Sequence, residues 1–137
     1  MKQWLTRTRS QKGVTLIELL VVVVILGIIA AVAIPMVIAN QQDAYANTNK
    51  QNMKIVNDAL ARYAVDNGGN YPATLNELTQ QSPGGKGPWL KDLPAVYNNN
   101  GGLDNTNDTD HENGWELEKD GSGNITGVKI PANHPGT

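Results

Sequence analysis

The chain has 137 residues, with no cysteine, no phenylalanine and two histidines, His111 and His134. Disulfides, thiol catalysis and cysteine-ligated metals are therefore excluded, and a histidine-based zinc site or a Ser-His-Asp triad has little material. The net charge of −2 divides into a basic start and an acidic remainder, so strong nucleic-acid binding is not expected.

The basic start comprises residues 1–13, which contain Lys2, Arg7, Arg9 and Lys12 and no acid. Because these are four of the eleven basic residues, the remainder holds seven basic and thirteen acidic side chains, a net charge of −6. Basic residues beside an apolar run favour the cytoplasmic side of a membrane. We therefore predict that the acidic part crosses the membrane.

A long apolar segment follows the basic start. Residues 19–39 are 21 residues without a charge, and as a helix they span about 32 Å, roughly the thickness of a hydrocarbon core. In lipid the backbone must satisfy its own hydrogen bonds, so the segment predicts a membrane-spanning helix despite its many Val and Ile residues. Gly27 and Pro35 are its weak points, because Gly has low helix propensity and Pro lacks a backbone donor.

One carboxylate, Glu18, lies at the start of this apolar segment. A charged side chain inside a membrane helix costs on the order of 2.5 kcal/mol or more unless it is paired or protonated. No basic residue follows it before Lys50, so a single helix offers it no good partner. Lys12 lies about 9 Å away along a helix axis and could leave Glu18 near the lipid headgroups.

Two simpler interpretations of the segment remain open. It could be a plain single-pass anchor, or a secretory signal that is cleaved after the small residues "AVA" at 31–33. Neither interpretation gives Glu18 a role.

The stretch "KGVTLIELLVVVVILGIIAAVAIP" at residues 12–35 resembles the N-terminal segment of type IV pilin-like proteins, which include type IV pilins and the pseudopilins of type II secretion and competence. The resemblance implies that a prepilin peptidase cuts between Gly13 and Val14 and methylates the new N-terminus. It further implies that Glu18 attracts the N-terminal ammonium of a neighbouring subunit, and that the helix loosens between Gly27 and Pro35 in a filament. The family usually has Phe where this chain has Val14.

The resemblance also implies an architecture, partners and a location. It implies an α+β, pilin-like fold, in which a long N-terminal helix with a membrane-spanning first half packs on a small antiparallel β-sheet head. The predicted segments are a leader at 1–13, an apolar helix at 14–39 and a soluble head at 40–137. The expected partners are membrane lipid, the prepilin peptidase, further copies in a homo-oligomeric filament, and assembly machinery with an ATPase and an inner-membrane platform. The protein would be a single-pass inner-membrane protein before assembly and an extracellular or periplasmic filament afterwards.

Helical character continues beyond the apolar segment. Apolar residues recur at spacings of three and four, which predicts one buried helix face. This face contains Met53, Val56, Leu60 and Tyr63, and Ile55 and Ala59 are expected to widen it. Gly68 and Gly69 predict the helix end, so we expect one helix over about 15–66.

The remainder predicts smaller elements. Thr74 and Glu77 form a capping-box pattern that predicts a short helix over about 75–80. The loop at 82–94 carries Trp89, Leu90 and Leu93, which we expect to pack on the head. Alternation in "GWELE" (114–118) and "NITGVKI" (124–130), with "KDGSG" between, predicts a β-hairpin, and the tail at 131–137 is expected to be loose.

The stretch at 98–114 is the most polar part of the chain. It contains four carboxylates that are closely spaced in a loop, and hard oxygen ligands of this kind suit calcium. They are Asp104, Asp108, Asp110 and Glu112. Major pseudopilins hold calcium in a C-terminal loop, so the resemblance points to the same metal, although the spacing does not match an EF-hand. A solvated loop without a metal is the other interpretation.

Three classes of function follow from these patterns. The leading hypothesis is a structural subunit of a type IV pilus-like filament, and the second is the major pseudopilin of a type II secretion system. A secreted or anchored calcium-binding module is the alternative from another class. We do not expect an enzyme, because no acid–base pair or nucleophile–base pair converges in the sequence, and no cofactor is required apart from the calcium considered above.

Overall fold

The computed structural model describes residues 13–82, 84–132 and 134–136, so most of the predicted leader at 1–13 lies outside the described residues. The chain separates into two units, Met1–Val37 and Ile38–Thr137, and one long helix contributes to both. The second unit, which we call the head, adds a short 3-10 helix and five strands in two antiparallel sheets. The α+β, pilin-like fold class is confirmed.

Helix α1 extends over Leu16–Asp66 and runs through both Gly27 and Pro35. Its predicted bounds are confirmed. The helix ends because Gly68 and Gly69 adopt positive φ angles of 69° and 92°, which only glycine reaches without strain. The N–H of Gly69 then donates to the carbonyl of Ala64 at 2.7 Å, which satisfies one of the last helical carbonyls.

The core of the head forms on the predicted face of α1. Val56, Ala59 and Leu60 are buried there, and Met53 and Tyr63 pack at its margin. The prediction for Ile55 was wrong, since its side chain is 46% exposed. Adjacent helical residues point about 100° apart, so Ile55 lies outside the arc that Val56 defines. The other core members come from the later segments: Leu75, Leu78, Val96, Trp115, Ile125, Val128 and Ile130.

The strands form two small sheets. Strands β1 (Val96–Tyr97) and β2 (Leu103–Asp104) pair with each other. Strands β3 (His111–Glu112), β4 (Trp115–Lys119) and β5 (Ile125–Lys129) form a second sheet in the order β3-β4-β5. The predicted hairpin is β4–β5 and is confirmed, whereas β1, β2 and β3 were missed because two-residue strands carry no period.

The short helix after α1 is a 3-10 helix over Leu75–Thr79, slightly shorter than predicted. The Glu77 carboxylate accepts a hydrogen bond from the backbone N–H of Thr74 at 3.2 Å, which is the glutamate half of the predicted capping box. A second carboxylate, that of Glu112, accepts hydrogen bonds from the N–H groups of Leu75 and Asn76. Side chains from both sides therefore satisfy the donors that open this helix.

The loop at 82–94 is fixed to the end of α1 by Trp89, as predicted. The Trp89 ring lies 4.7 Å from the ring of Tyr63, and its indole N–H donates to Asp66 at 2.7 Å. The Tyr63 hydroxyl donates to Glu77 at 2.8 Å. Burial, with the nearby Glu77 carboxylate, raises the pKa of Tyr63 above its usual value.

The described residues of the C-terminal segment, 131, 132 and 134–136, are held against the head, so the prediction of a loose tail was wrong for them. The fully buried amide of Asn49 donates to the carbonyls of Tyr97 and Pro135, each at 2.9 Å, and accepts from the N–H of Tyr97 at 2.9 Å. His134 Nε2 lies 2.6 Å from Asp104 Oδ2, and both side chains are largely buried. Side chains of α1 and β2 thus fix this segment in place.

Candidate functional site

The described part of the chain begins with the residues to which the sequence assigns processing and assembly. Gly13 and Val14 are exposed and precede α1. Thr15 is the residue before the helix, and both its backbone N–H and its hydroxyl donate to Glu18 Oε2 at 2.8 Å. The N–H of Glu18 approaches the Thr15 hydroxyl at 3.3 Å. Thr15 and Glu18 therefore form a reciprocal capping box that sets the start of the helix.

This capping box corrects the expectation that one helix offers Glu18 no good partner. Within a single chain the carboxylate accepts two hydrogen bonds, and its negative charge lies in the first turn, where the helix dipole favours it. Within residues 13–39 no positive charge contributes, because Glu18 is the single charged residue there. The partner is a neutral one, so the carboxylate keeps its charge and its attraction for a cation.

The apolar side chains of the described part of the first unit, residues 13–37, are exposed. Among residues 13–37, each Val, Ile, Leu and Met side chain is at least about half accessible. Helix α1 is the one helix of the described residues that is long and apolar enough to cross a membrane. Such a surface is stable only in contact with lipid or with another apolar surface.

Gly27 and Pro35 lie inside this exposed helix without interrupting it. A methyl group added at Gly27 would meet no atom within 4 Å, so the glycine leaves a small hollow on the helix surface. Loosening between these residues in a filament stays a prediction.

Three of the four carboxylates of the acidic stretch have separate partners. Asp104 Oδ1 accepts from the hydroxyl of Thr106 at 2.6 Å, while its other oxygen faces His134. Asp108 lies 2.9 Å from His111 Nδ1, and Glu112 binds the start of the 3-10 helix. Asp110 is exposed. Two of these carboxylates, those of Asp104 and Glu112, are thus committed to different parts of the head.

These partners also keep two of the carboxyl groups ionised. The hydroxyl of Thr106 and, to a lesser extent, the His134 ring lower the pKa of Asp104. The His111 ring lowers the pKa of Asp108, together with the backbone N–H of Asp110. Hydrogen bonds to the charged form of an acid favour that form.

The arrangement does not match a calcium site built from all four carboxylates. No group of three or more His, Asp or Glu side chains within the described ranges is placed to hold a metal ion. Calcium needs six to eight oxygen ligands that converge on one point, and here the oxygens of Asp104 and Glu112 are already used by other groups. The calcium prediction therefore gains no support from the geometry and stays a prediction.

Two features of these sites escaped the sequence analysis. The Thr15–Glu18 capping box has the same T-x-x-E spacing that predicted the later short helix, so that signal was present in the sequence. Asn49 contacts Pro135, 86 positions later, and His134 contacts Asp104, 30 positions earlier. No local sequence pattern predicts contacts over such separations.

Comparisons with known proteins agree with this geometry at the N-terminus. Residues 8–34 match the prokaryotic N-terminal methylation motif. The chain is 42% identical to the type II secretion system core protein G of Pseudomonas aeruginosa over 89 residues, which cover 61% of this chain and 62% of that protein. It is 33% identical to the protein of the same name from Escherichia coli K12 over 94 residues, which cover 69% of this chain and 62% of that protein.

The chain thus spans less than two thirds of the length of these curated relatives, and no solved structure matches it. The matched motif includes Gly13, Val14 and Glu18, the residues that lie together at the start of α1. Motif, relatives and the combination of a long apolar helix with small antiparallel sheets all agree, and together they support a type IV pilin-like family for this chain.

Proposed function

We propose that this chain is a structural subunit of a type IV pilus-like filament and polymerises through its N-terminal helix. A prepilin peptidase cleaves it between Gly13 and Val14 and methylates the new N-terminus. Before assembly the chain is held in the inner membrane by residues 14–39 as a single pass, and afterwards it lies in a periplasmic or extracellular filament. An ATPase and an inner-membrane platform supply the energy and the site of assembly.

The observation that carries the proposal is the exposed apolar surface of residues 14–38, which contains one carboxylate near its start. Burying such a surface against copies of itself gains about 25 cal/mol for each Å² that is removed from water, and lipid serves the same purpose before assembly. We infer that the role of this surface is to be covered by lipid or by other subunits.

The carboxylate of Glu18 gives this assembly its register. Cleavage after Gly13 would create an α-amino group with a pKa near 8, which is largely cationic at neutral pH. Pairing that ammonium with Glu18 of a neighbour neutralises two charges that an apolar filament core would penalise. The capping bonds from Thr15 use one carboxylate oxygen, Oε2, so Glu18 can start its own helix and attract a neighbour's amine.

The mass of the mature N-terminus tests the processing step. We expect a chain that starts at Val14 and carries one additional methyl group. A chain that starts after residue 33 would indicate a conventional secretory signal, and an uncleaved chain would indicate a plain anchor. Either result would favour the alternative, an anchored or secreted calcium-binding module, over a filament subunit.

Two substitutions at one position separate capping from charge pairing. Glu18→Gln keeps an oxygen that can accept from Thr15 but removes the charge, whereas Glu18→Ala removes both. We expect each variant to be cleaved normally and to lose filaments by electron microscopy. Normal filaments from Glu18→Gln would contradict the ammonium pairing, and Thr15→Val, which removes the hydroxyl alone, serves as the matched control that still assembles.

A type II secretion pseudopilus is the second candidate for the same filament. The relatives favour it, since those from Pseudomonas aeruginosa, Escherichia coli and Vibrio cholerae are all type II secretion system core proteins G. Deletion of the gene should then retain folded exoproteins in the periplasm. Unchanged secretion, together with a loss of surface pili, would assign the chain to a pilus instead.

A further inference from the structure

A groove lined by lysines lies on the head beside the end of strand β5. We call it the lysine groove and define it by Lys50, Met53 and Lys54 of α1 with Lys129 and Ile130. It has a volume of about 650 Å³, an apolar floor and a basic rim. The head, residues 38–137, holds seven basic and twelve acidic residues. Of the three lysines in the groove, Lys129 is already paired with Glu118, so Lys50 and Lys54 supply the positive charge that is open to a partner.

The two groove lysines of α1 form no ion pair with the described residues of their own chain. Both Lys50 and Lys54 are exposed. They lie four residues apart on one face of the helix, where like charges destabilise a helix by a few tenths of a kcal/mol. An acidic partner from outside would relieve that repulsion.

The free edge of β5 is closed to another strand. Asn57 accepts a hydrogen bond from the N–H of Val128 at 2.9 Å and donates to its carbonyl at 3.2 Å. Because these backbone groups are satisfied, an occupant of the groove binds through side chains and not by adding a strand.

The acidic stretch lies at the other edge of the same sheet. In the order β3-β4-β5, strand β3 is at the edge opposite to β5, and Asp108 and Asp110 directly precede it. Two strand spacings of about 4.8 Å separate these edges. Asp110 is exposed, and the Asp108 side chain is 53% exposed. The lysine groove and the acidic stretch therefore lie at opposite edges of this sheet.

We propose that the lysine groove of one head receives the acidic stretch before β3 of a second copy of this chain. Two different, complementary surfaces at opposite edges of one sheet form a heterologous contact, which repeats without closing and builds a helical filament. The inference rests on the proposed filament function and adds the surfaces through which neighbouring heads recognise each other.

Cysteine cross-linking of the full chain in the producing cells tests this contact directly, because the natural chain has no cysteine. The variant with Lys54→Cys and Asp110→Cys carries both halves of the contact on each subunit. We expect a ladder of disulfide-linked dimers, trimers and longer species under mild oxidation. Each single variant should give no ladder, and Lys91→Cys with Asp110→Cys, which moves the lysine position to another exposed site, is the matched control.

Charge reversal provides a second readout that does not depend on disulfide geometry. Lys50→Glu with Lys54→Glu should lower filament yield by about tenfold, since like charges now face each other across the contact. Adding Asp110→Lys to that variant should restore much of the yield. These positions are exposed, so the head should fold in each variant.

The outcomes separate this inference from the proposed function. Wild-type filaments without a cross-linked ladder, or with a yield indifferent to charge reversal, overturn the groove contact and leave the filament function standing. Dimers that stop at two from Lys54→Cys alone would indicate a symmetric contact and also overturn it. Loss of binding to phosphatidylglycerol vesicles in the charge-reversed variant, with filaments intact, would assign the groove to lipid. An uncleaved wild-type chain that forms no filament would overturn the proposed function itself.

Discussion

Up to Val37, helix α1 exposes each apolar side chain that it carries, whereas further along the same helix Val56, Ala59 and Leu60 are buried. The first region is apolar all round, and the second confines its apolar residues to one face. A helix that is apolar on every side needs surroundings that are apolar on every side, while a one-faced helix needs a single partner surface. The chain supplies that surface for the second region but not for the first.

This difference shows where each region obtains its stability. The head contains its own core, with Trp115, Leu75 and Leu78 brought to α1 by later segments. Nothing among the described residues covers the first region, so its stability has to come from lipid or from other subunits. Changes in the two regions should therefore affect different measurements.

The largest expected effect on stability comes from a Leu→Ala change in the head, and the same change in the first region is its control. Leu60→Ala removes a side chain that is 1% exposed and should lower the free energy of unfolding of the head by about 2–5 kcal/mol. Leu26→Ala, at an exposed position, should leave it unchanged. Thermal unfolding of the full chain in detergent, followed by the fluorescence of buried Trp115, measures both. An equal loss from Leu26→Ala would mean that the two regions are not independent.

A smaller effect is expected at the C-terminal segment, where the head is closed by polar contacts. His134→Ala removes the partner of Asp104 and should cost about 1–2 kcal/mol, with faster proteolysis after residue 130. His134→Gln, which keeps a hydrogen-bond donor, should recover part of the loss. A variant as stable and as resistant as the natural chain would show that the pair does not hold the segment.

Calcium provides a check on the same region. If calcium binds the acidic stretch as predicted, millimolar calcium should raise the midpoint of thermal unfolding of the natural chain, and an unchanged midpoint would contradict the predicted site. A rise in the midpoint that disappears in Asp110→Asn would restore the predicted metal site.

The smallest effect should come from the turn between β4 and β5. The N–H groups of Asn124 and Ser122 donate to Asp120, each at 2.9 Å, and lower its pKa. A pKa that is lower in the folded than in the unfolded chain gives stability that is present above about pH 4 and is lost as the pH falls through the folded pKa. Asp120→Asn should therefore lose less stability than the natural chain between pH 5 and pH 3. Identical losses would remove Asp120 from the acid response.

The elements that could be predicted from the sequence are those with a long uninterrupted pattern. An apolar run predicted the first half of α1, the 3.6-residue period predicted the buried face of its second half, and the period of two predicted β4 and β5. Ile55 was wrongly assigned to the buried face of α1, because it is apolar and adjacent in sequence to Val56, which does belong to that face. The 3-10 helix was placed correctly by its capping residues, which are a local signal.

What could not be predicted depends on contacts between distant residues. Strands β1 and β2 are two residues each and exist because β1 is also held by Asn49. The tail was expected to be loose because Pro, Gly and Asn dominate it, and those residues carry no information about a partner 86 positions earlier. At the candidate site, the local motif of Gly13, Val14 and Glu18 could be recognised in the sequence. The surfaces proposed to join neighbouring heads could not be predicted from it.

The contacts of Asn49 also affect when the head can fold during synthesis of the chain. A ribosome makes this buried amide early, yet Tyr97 emerges 48 residues later and Pro135 emerges 86 residues later. Until then the Asn49 amide is hydrated, and burying it without these partners would cost free energy, which opposes premature closure. The head therefore reaches its final form in one late step, long after the apolar segment has been synthesised.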